Sequence, residues 1–224
     1  GFDELRERAE CCERLGIPFE TDNAEEIKEA EELLDHWYGE IKKKNMDKAK
    51  ELLKEIEEKI RSIQVPAVLI RYDLFKARYY FSLEKDEEAK ILLDKTKELE
   101  DFLTDELKYY YYTFLGIYYY YIDSEKALDF FKRAETISQS ISLKDSALAE
   151  LYYDLGLLYL ERHSTPLSMN YTQKALSIFD QDYNLPRSAD CQIILGVNNR
   201  RIHNYEQAEF HYENALKLTN PADS

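Results

Sequence analysis

The chain has 224 residues, 44% of them hydrophobic, and a net charge of −15 from 45 acidic and 30 basic residues. That length suits one domain of stacked repeats, and such an acidic surface is a poor match for the phosphates of duplex DNA. No apolar run approaches the roughly 20 residues of a membrane span, and the first residues hold no signal-peptide block, so we expect a cytoplasmic protein.

Cysteine and histidine positions argue against a metal site or a disulfide framework. Cys11, Cys12 and Cys191 have no metal-ligand spacing and no even number. The histidines lack a metal-binding context, although His203 and His211 lie on two helices of one repeat and could meet. No glycine-rich phosphate loop or nucleophile elbow is present. We therefore predict no metal, no cofactor and no enzymatic activity.

Apolar residues recur with a helical period along most of the chain. Residues 1–20 carry a short helical pattern, and Asn23 with Glu26 has the form of a capping box. Pro66 and Pro186 are expected between later helix pairs. No strand pattern competes with the helical period. The predicted helix pairs are residues 24–62, 68–103, 106–141, 146–182 and 187–219.

Three Leu-Gly pairs mark a repeat of 40 residues: Leu115-Gly116, Leu155-Gly156 and Leu195-Gly196. Small residues follow each pair on the next helix. These small residues are Ala127 and Ala134, Ser168 and Ala175, and Ala208 and Ala215. Matched small residues let two helix backbones approach closely. A fixed period of this size predicts an all-α solenoid of stacked helix-turn-helix units.

The residues around these glycines resemble the tetratricopeptide repeat (TPR). The matching positions are Tyr112, Tyr119 and Phe131 in the third repeat, Tyr152, Tyr159, Ser168 and Ala175 in the fourth, and Tyr205, Ala208, Tyr212 and Ala215 in the fifth. The resemblance implies a right-handed TPR superhelix of about five helix-turn-helix repeats over residues 24–224. A period of 40 residues is longer than the usual TPR.

The first pair is similar to the opening TPR segment of one group of bacterial regulators. Trp37-Tyr38, Asn45-Met46 and Ala49 resemble the peptide-pheromone receptors of the Rap, NprR and PlcR group, most closely the NprR and PlcR transcription factors. Leu5–Phe19 is similar to the last helix of a helix-turn-helix domain, so residues 1–23 are expected to be a linker or a remnant of one. The resemblance implies contact with DNA only through a helix-turn-helix domain that this chain lacks.

A TPR superhelix binds extended peptides in the groove lined by the first helix of each pair. The TPR resemblance carries the groove positions over to this chain. The predicted peptide-binding residues are Arg71, Arg78, Tyr110, Thr113, Tyr120, Tyr121, Glu150, Tyr153, Asp154, Asp190, Asn199, Arg200 and Arg201. Arginine suits a carboxylate, and tyrosine supplies area and a hydroxyl. The alternative is that these charges pair with one another across neighbouring repeats.

A further expectation concerns the two tyrosine runs of the third repeat. Helical geometry divides the tyrosine runs, so Tyr112 and Tyr119 should pack inward while Tyr110, Tyr120 and Tyr121 line the groove, although core packing alone also explains most of the run.

The pheromone-receptor resemblance implies asparagines that hold the peptide backbone. Asn198 and Asn199 lie one or two places from the expected position, where Asp154 and Ile194 stand instead.

Three functions fit these patterns. The first is the signalling-peptide receptor part of a quorum-sensing transcriptional regulator. The second is a general protein-interaction scaffold. The third is a Rap-like response-regulator effector, but we find no sequence counterpart of the Rap N-terminal bundle. Leu216 and Leu218, on the last helix, are expected to be uncovered, which predicts a homodimer.

Overall fold

The computed structural model describes residues 24–219, and this range is helical with short turns and no strand. The helices form five helix-turn-helix pairs. They are α1 (Ala24–Lys42) and α2 (Met46–Ile60), α3 (Pro66–Phe81) and α4 (Asp86–Lys97), α5 (Asp105–Tyr119) and α6 (Ser124–Ser138), α7 (Asp145–Glu161) and α8 (Thr165–Gln181), and α9 (Leu185–Arg201) and α10 (Tyr205–Thr219). The predicted all-α repeat fold is confirmed. The expectations for residues 1–20, Asn23, Cys11 and Cys12 lie outside the described residues.

The described chain divides into two compact units by its internal contacts. Residues 24–41 and 45–98 form the first unit, which holds most of α1 and all of α2, α3 and α4. Residues 42–44 and 99–219 form the second unit, which holds α5 to α10 and a short 3₁₀ helix, Glu100–Phe102.

Trp37 organises the core of the first unit. Its side chain is fully buried, and its indole Nε1 donates a 2.9 Å hydrogen bond to the Ala49 carbonyl on α2. Its ring lies 5.6 Å from the ring of Tyr79 on α3. Tyr38, the next residue after Trp37, stacks on Phe75 of α3 with ring centroids 4.3 Å apart. A single indole therefore ties α1 to both α2 and α3, because its polar edge and its apolar face are used at the same time.

Three glycines set the helix spacing in the second unit. A Cβ atom at Gly116 would stand 2.3 Å from the buried Phe131 ring, and one at Gly196 would stand 2.5 Å from the Tyr212 ring. At Gly156 the neighbour is Thr172, with its Oγ1 at 2.4 Å and its backbone nitrogen at 3.1 Å. Each facing residue comes one turn after the small residue that the sequence pattern singled out. The 40-residue period is therefore the period of a close helix contact.

A residue with a positive φ closes the turn inside four of the five helix pairs. Lys44, Glu84, His163 and His203 all have a positive φ, between 56° and 60°. In each turn, the next residue donates its backbone N–H to the carbonyl five positions before it, at 2.9–3.0 Å. This bond satisfies one of the carbonyls that every helix end leaves open. The α5–α6 turn has no such residue, and there Asp123 donates its backbone N–H to the Tyr119 carbonyl four positions before it, at 2.8 Å.

Two prolines lie inside helices rather than between pairs. Pro66 is the first residue of α3, and Pro186 is the second residue of α9. The expectation that they separate the pairs is wrong. Proline is well suited to the first turn of a helix because the N–H groups there have no intrahelical acceptor. The first helices of the second and fifth pairs consequently each begin two residues before the predicted positions.

We predict that Gly156→Ala lowers the free energy of unfolding by about 1–3 kcal/mol, because the new methyl group meets backbone as well as a side chain. Urea unfolding measures the effect. Gly39→Ala is the matched control, since nothing lies within 4 Å of a Cβ there. Removing a glycine from the interior of α1 should instead stabilise the chain by about 0.5–1 kcal/mol. Equal stabilities for the two variants would contradict the role of Gly156.

Candidate functional site

The first helices of the second unit lie side by side. The Tyr109 hydroxyl on α5 donates a 2.8 Å hydrogen bond to the Ala147 carbonyl on α7. Arg187 on α9 in turn pairs with Glu150 on α7. These links connect α5 to α7 and α7 to α9. The predicted residues of this unit are Tyr110, Thr113, Tyr120, Tyr121, Glu150, Tyr153, Asp154, Asp190, Asn199, Arg200 and Arg201.

The tyrosines of α5 are distributed differently from the prediction. Tyr109 and Tyr111 are the fully buried members of the first run, and Tyr110 is also buried, against the rings of Tyr109 and Phe114. Tyr110 therefore offers little surface to a ligand. The assignment of faces differs from the structure because Tyr109, Tyr110 and Tyr111 are all buried.

Tyr112 and Tyr119 are half-buried, and both stack on Phe130 of α6, with centroids 6.2 Å and 5.6 Å away. Tyr120 and Tyr121 come directly after α5. Tyr120 is half-buried, whereas Tyr121 is 91% exposed. The accessible aromatic surface is thus at the end of α5.

Glu150 and Arg187 form a buried ion pair between α7 and α9. Arg187 Nε lies 3.0 Å from Glu150 Oε1, and Arg187 Nη2 lies 2.6 Å from Oε2. Their side chains are only 7% and 5% exposed. This two-pronged geometry is the strongest arrangement available to arginine and a carboxylate. Glu150 therefore pairs across neighbouring repeats, with an arginine that was not among the predicted groove residues.

Arg187 also contacts two other predicted groove residues. Its guanidinium lies 4.5 Å from the centroid of the Tyr153 ring. Its Nη1 is 3.4 Å from Asp190 Oδ2, which also accepts a hydrogen bond at 2.6 Å from Lys44 of the same unit. Arg187 was not among the predicted residues because it precedes the first groove position of the fifth repeat. The signal that could have found it is its spacing of one turn before Asp190.

Burial keeps the groove phenols and Arg187 in one protonation state. Desolvation raises the pKa of Tyr153 and of Tyr120, and nearby carboxylates, Asp190 for Tyr153 and Glu161 for Tyr120, raise both further. Desolvation alone would lower the pKa of Arg187, but the charge and hydrogen bonds of Glu150, together with the nearby Tyr153 and Asp154, outweigh it and raise that pKa. At neutral pH both phenols are therefore hydroxyl donors and Arg187 is a cation.

Most of the predicted arginines outside this cluster also contact protein groups, which include a carboxylate, a hydroxyl and a backbone carbonyl. In the first unit, Arg71 Nη1 lies 3.9 Å from Asp35 Oδ1, and Arg78 Nη1 donates to Ser82 Oγ at 3.0 Å. In the second unit, Arg201 donates to the Leu160 carbonyl of the preceding repeat. Arg200 is exposed at the end of α9. Arginine contacts therefore lie within repeats as well as between neighbouring ones.

The two asparagines of α9 are inside the protein. Asn198 is fully buried, and its Nδ2 donates to Ser168 Oγ at 2.7 Å, which in turn donates to the Gly156 carbonyl at 2.8 Å. Asn199 is 3% exposed and donates to the Leu195 carbonyl. This network joins α7, α8 and α9. In the described residues, Asn198 Oδ1 and Thr172 Oγ1 are buried without a hydrogen-bond partner.

Residues 24–219 hold no group of three or more histidine, cysteine or acidic side chains placed to bind a metal ion. His203 and His211 do not meet, because His203 Nδ1 contacts the Tyr205 hydroxyl and His211 Nδ1 contacts Gln192 Oε1. Cys191 is a buried free thiol. Within the same range, none of the helices has the length and apolar character needed to cross a bilayer.

Several comparisons with known proteins point to the same group of regulators. Residues 23–84 match the family model of response regulator aspartate phosphatase H, N terminal. The chain is 36% identical to the transcriptional activator NprA of Geobacillus stearothermophilus over 92% of this chain and 51% of NprA. It is 34% identical to the regulatory protein RapD of Bacillus subtilis (strain 168) over 84% of this chain and 53% of RapD.

Among solved structures, NprR in complex with its cognate peptide NprX superposes with a TM-score of 0.75 at 20% identity, over 85% of this chain and 55% of that chain. The chain spans about half the length of these relatives. The fold and the matches define a helical-repeat domain of the TPR type. The chain belongs to the Rap and NprR family of regulators.

One expectation about this family is wrong. The sequence patterns gave no counterpart of the Rap N-terminal region, yet residues 23–84 match that region's family model, and they include α1, α2 and α3. These helices share the helix-turn-helix form of the later pairs. A reading based on TPR positions alone therefore could not tell them from further repeats.

We predict that Glu150→Met or Arg187→Met alone lowers the free energy of unfolding by about 3–5 kcal/mol, because either change leaves one buried charge without its partner. The double variant should recover most of that loss, since two apolar side chains of similar size fill the same space. Chemical denaturation of the four proteins gives the coupling. Additive losses would show that the two residues do not act as a pair.

Thr172→Val is expected to stabilise the chain by about 1 kcal/mol, because it removes a buried hydroxyl that has no partner among the described residues. Thr96→Val is the matched control. Thr96 is equally buried, but its Oγ1 donates to the Leu92 carbonyl at 2.9 Å, so the same change should destabilise. Thermal melting distinguishes the two signs. A destabilised Thr172→Val variant would mean that this hydroxyl has a partner in solution.

Proposed function

We propose that the chain is the signalling-peptide receptor part of a quorum-sensing transcriptional regulator. The observation that carries the proposal is the similarity to NprA over nearly the whole chain. The fold shared with NprR, which is known in complex with its peptide NprX, supports the same reading. Under this proposal the regulator acts in the cytoplasm and reaches DNA through a separate helix-turn-helix domain.

The peptide is proposed to lie along the first helices of the second unit. Tyr120 and Tyr153 supply hydroxyl groups that stay protonated, and Tyr121 supplies exposed aromatic area. An extended peptide carries one N–H and one C=O in each unit, and such side chains can hydrogen-bond with both. Arg71 and Arg78 remain candidates on α3 of the first unit, and Arg200 on α9. Thr113 offers no surface to a ligand, because it is 3% exposed and its hydroxyl donates to the Tyr109 carbonyl.

Titration of the full-length protein with short synthetic peptides, NprX among them, tests this proposal. We expect saturable binding that Tyr121→Ala weakens by about 1 kcal/mol or more, roughly fivefold, as for an aromatic contact residue. Tyr183→Ala is the matched control, because Tyr183 is 85% exposed but lies in the turn between α8 and α9. Equal effects of the two variants, or no binding, would count against the proposal.

A second candidate is a Rap-like effector of response regulators. The match of residues 23–84 to the Rap N-terminal family model favours it. Relatives of this type include proteins named as aspartate phosphatases, whereas our proposal assigns the chain no chemistry of its own. Loss of phosphate from a phosphorylated response regulator, measured with and without the full-length protein, decides between them. A general scaffold is favoured if neither peptide nor response regulator binds.

We also propose that the regulator is a homodimer. Phe210 and Leu216 on α10 are 53% and 62% exposed, which supports an apolar contact surface on that helix. Light scattering of the full-length protein at several concentrations measures its mass. A mass of one chain throughout would refute the dimer.

A further inference from the structure

Arg187 holds two side chains of the proposed peptide-binding surface, although it is itself buried. Its edge is occupied by Glu150, and its face lies against the ring of Tyr153. Its remaining terminal nitrogen, Nη1, reaches Asp190 on its own helix. One side chain thus contacts α7 at two positions one turn apart and α9 at a third.

The planar guanidinium makes this arrangement directional. Two parallel hydrogen bonds fix its plane relative to the Glu150 carboxylate. The ring of Tyr153, which lies against that plane, is then restricted in the directions its hydroxyl can take. A lysine at this position would retain the charge but would fix neither a plane nor a stacked ring. The orientation of Tyr153 therefore depends on Arg187 as well as on its own helix.

The two side chains that Arg187 holds offer complementary groups. Tyr153 is half-buried and presents a hydroxyl donor, whereas Asp190 is 25% exposed and presents a carboxylate acceptor. Asp190 is also among the charges that act on the Tyr153 phenol. A peptide group carries one acceptor and one donor, so it matches this pair. Lys44 and Arg187 both contact Asp190 Oδ2 and offset its charge, which favours a neutral amide over a cation as the group bound there.

We infer that Arg187 is a positioning residue for peptide binding, which acts by holding Tyr153 and Asp190 ready for a backbone amide of the ligand. The inference rests on the proposed peptide-receptor function. It assigns Arg187 no direct contact with the peptide, since its side chain is only 7% exposed and is already engaged by protein groups.

A positioning role can be separated from a structural one. Replacing a buried ion pair by two apolar residues of similar volume often leaves stability unchanged or improved. The double variant Glu150→Met with Arg187→Met should therefore stay folded while it loses the directional hold on Tyr153. A purely structural pair predicts no loss of affinity in a variant with wild-type stability.

The test uses calorimetric titration of the full-length protein with a set of short synthetic peptides with free termini, NprX included, together with thermal melting. We expect the double methionine variant to melt within a few degrees of wild type and to bind about tenfold more weakly. The matched control removes another arginine–glutamate pair between repeats, Arg162→Met with Glu125→Met. That pair is more exposed and joins α6 to the residue that follows α7, rather than α7 to α9, so peptide affinity should not change.

Arg187→Lys and Tyr153→Phe supply a second measurement that does not depend on the double variant folding. If Arg187 acts through Tyr153, each single variant binds the peptide more weakly than wild type. The combined variant should then lose no more affinity than the more affected single variant, because both changes remove the same contact of Tyr153 with the peptide. Three results would overturn the inference but leave the proposed function standing. They are wild-type affinity in Arg187→Lys, fully additive losses of affinity in the combined variant, and wild-type affinity in a folded double methionine variant. A wild-type protein that binds none of the peptides would overturn the proposed function as well.

Discussion

The structure of the second unit depends on how closely one helix of each pair can approach the next. At Gly116, Gly156 and Gly196 a side chain from the following helix occupies the space that a Cβ atom would need. The close approach brings the small residues of the second helix into the same contact, where Ala127 and Ser168 are fully buried. First helices are thereby held at positions from which their other face meets the neighbouring repeats. Side chains such as Glu150 depend on that spacing for their partners.

Burial also changes what an acidic chain presents to its surroundings. The net charge of −15 suggests a uniformly negative surface, but several carboxylates are neutralised inside or between repeats. Glu150 pairs with Arg187, and Asp190 is shared by Arg187 and Lys44. A desolvated pair is stronger than an exposed one and costly to break singly. The proposed binding surface is therefore less acidic than the sequence suggests, and its hydroxyl groups gain importance.

The fold was predictable from the sequence because the helix contact repeats at a fixed interval. The spacing of Leu155-Gly156 and its counterparts predicts the 40-residue period, and that period predicts the helix pairs. Details that depend on tertiary geometry were not predictable in the same way. Tyr110 is buried against the rings of Tyr109 and Phe114, and Arg187 lies outside the repeat positions that define the groove. The turn residues at φ near 60° recur with nearly the same spacing, but non-glycine residues adopt that conformation too rarely for the sequence to predict it.

The three glycines have a consequence for anyone who would shuffle or shorten this array. Gly116 faces a phenylalanine ring, Gly156 faces the hydroxyl and backbone of Thr172, and Gly196 faces a tyrosine ring. The three close contacts therefore all use a glycine, but the residue that faces the glycine differs from repeat to repeat. A helix transplanted from one repeat to another would bring a ring where a small residue is required, or leave a void where a ring belongs. Units that look interchangeable in an alignment can be exchanged only as whole pairs.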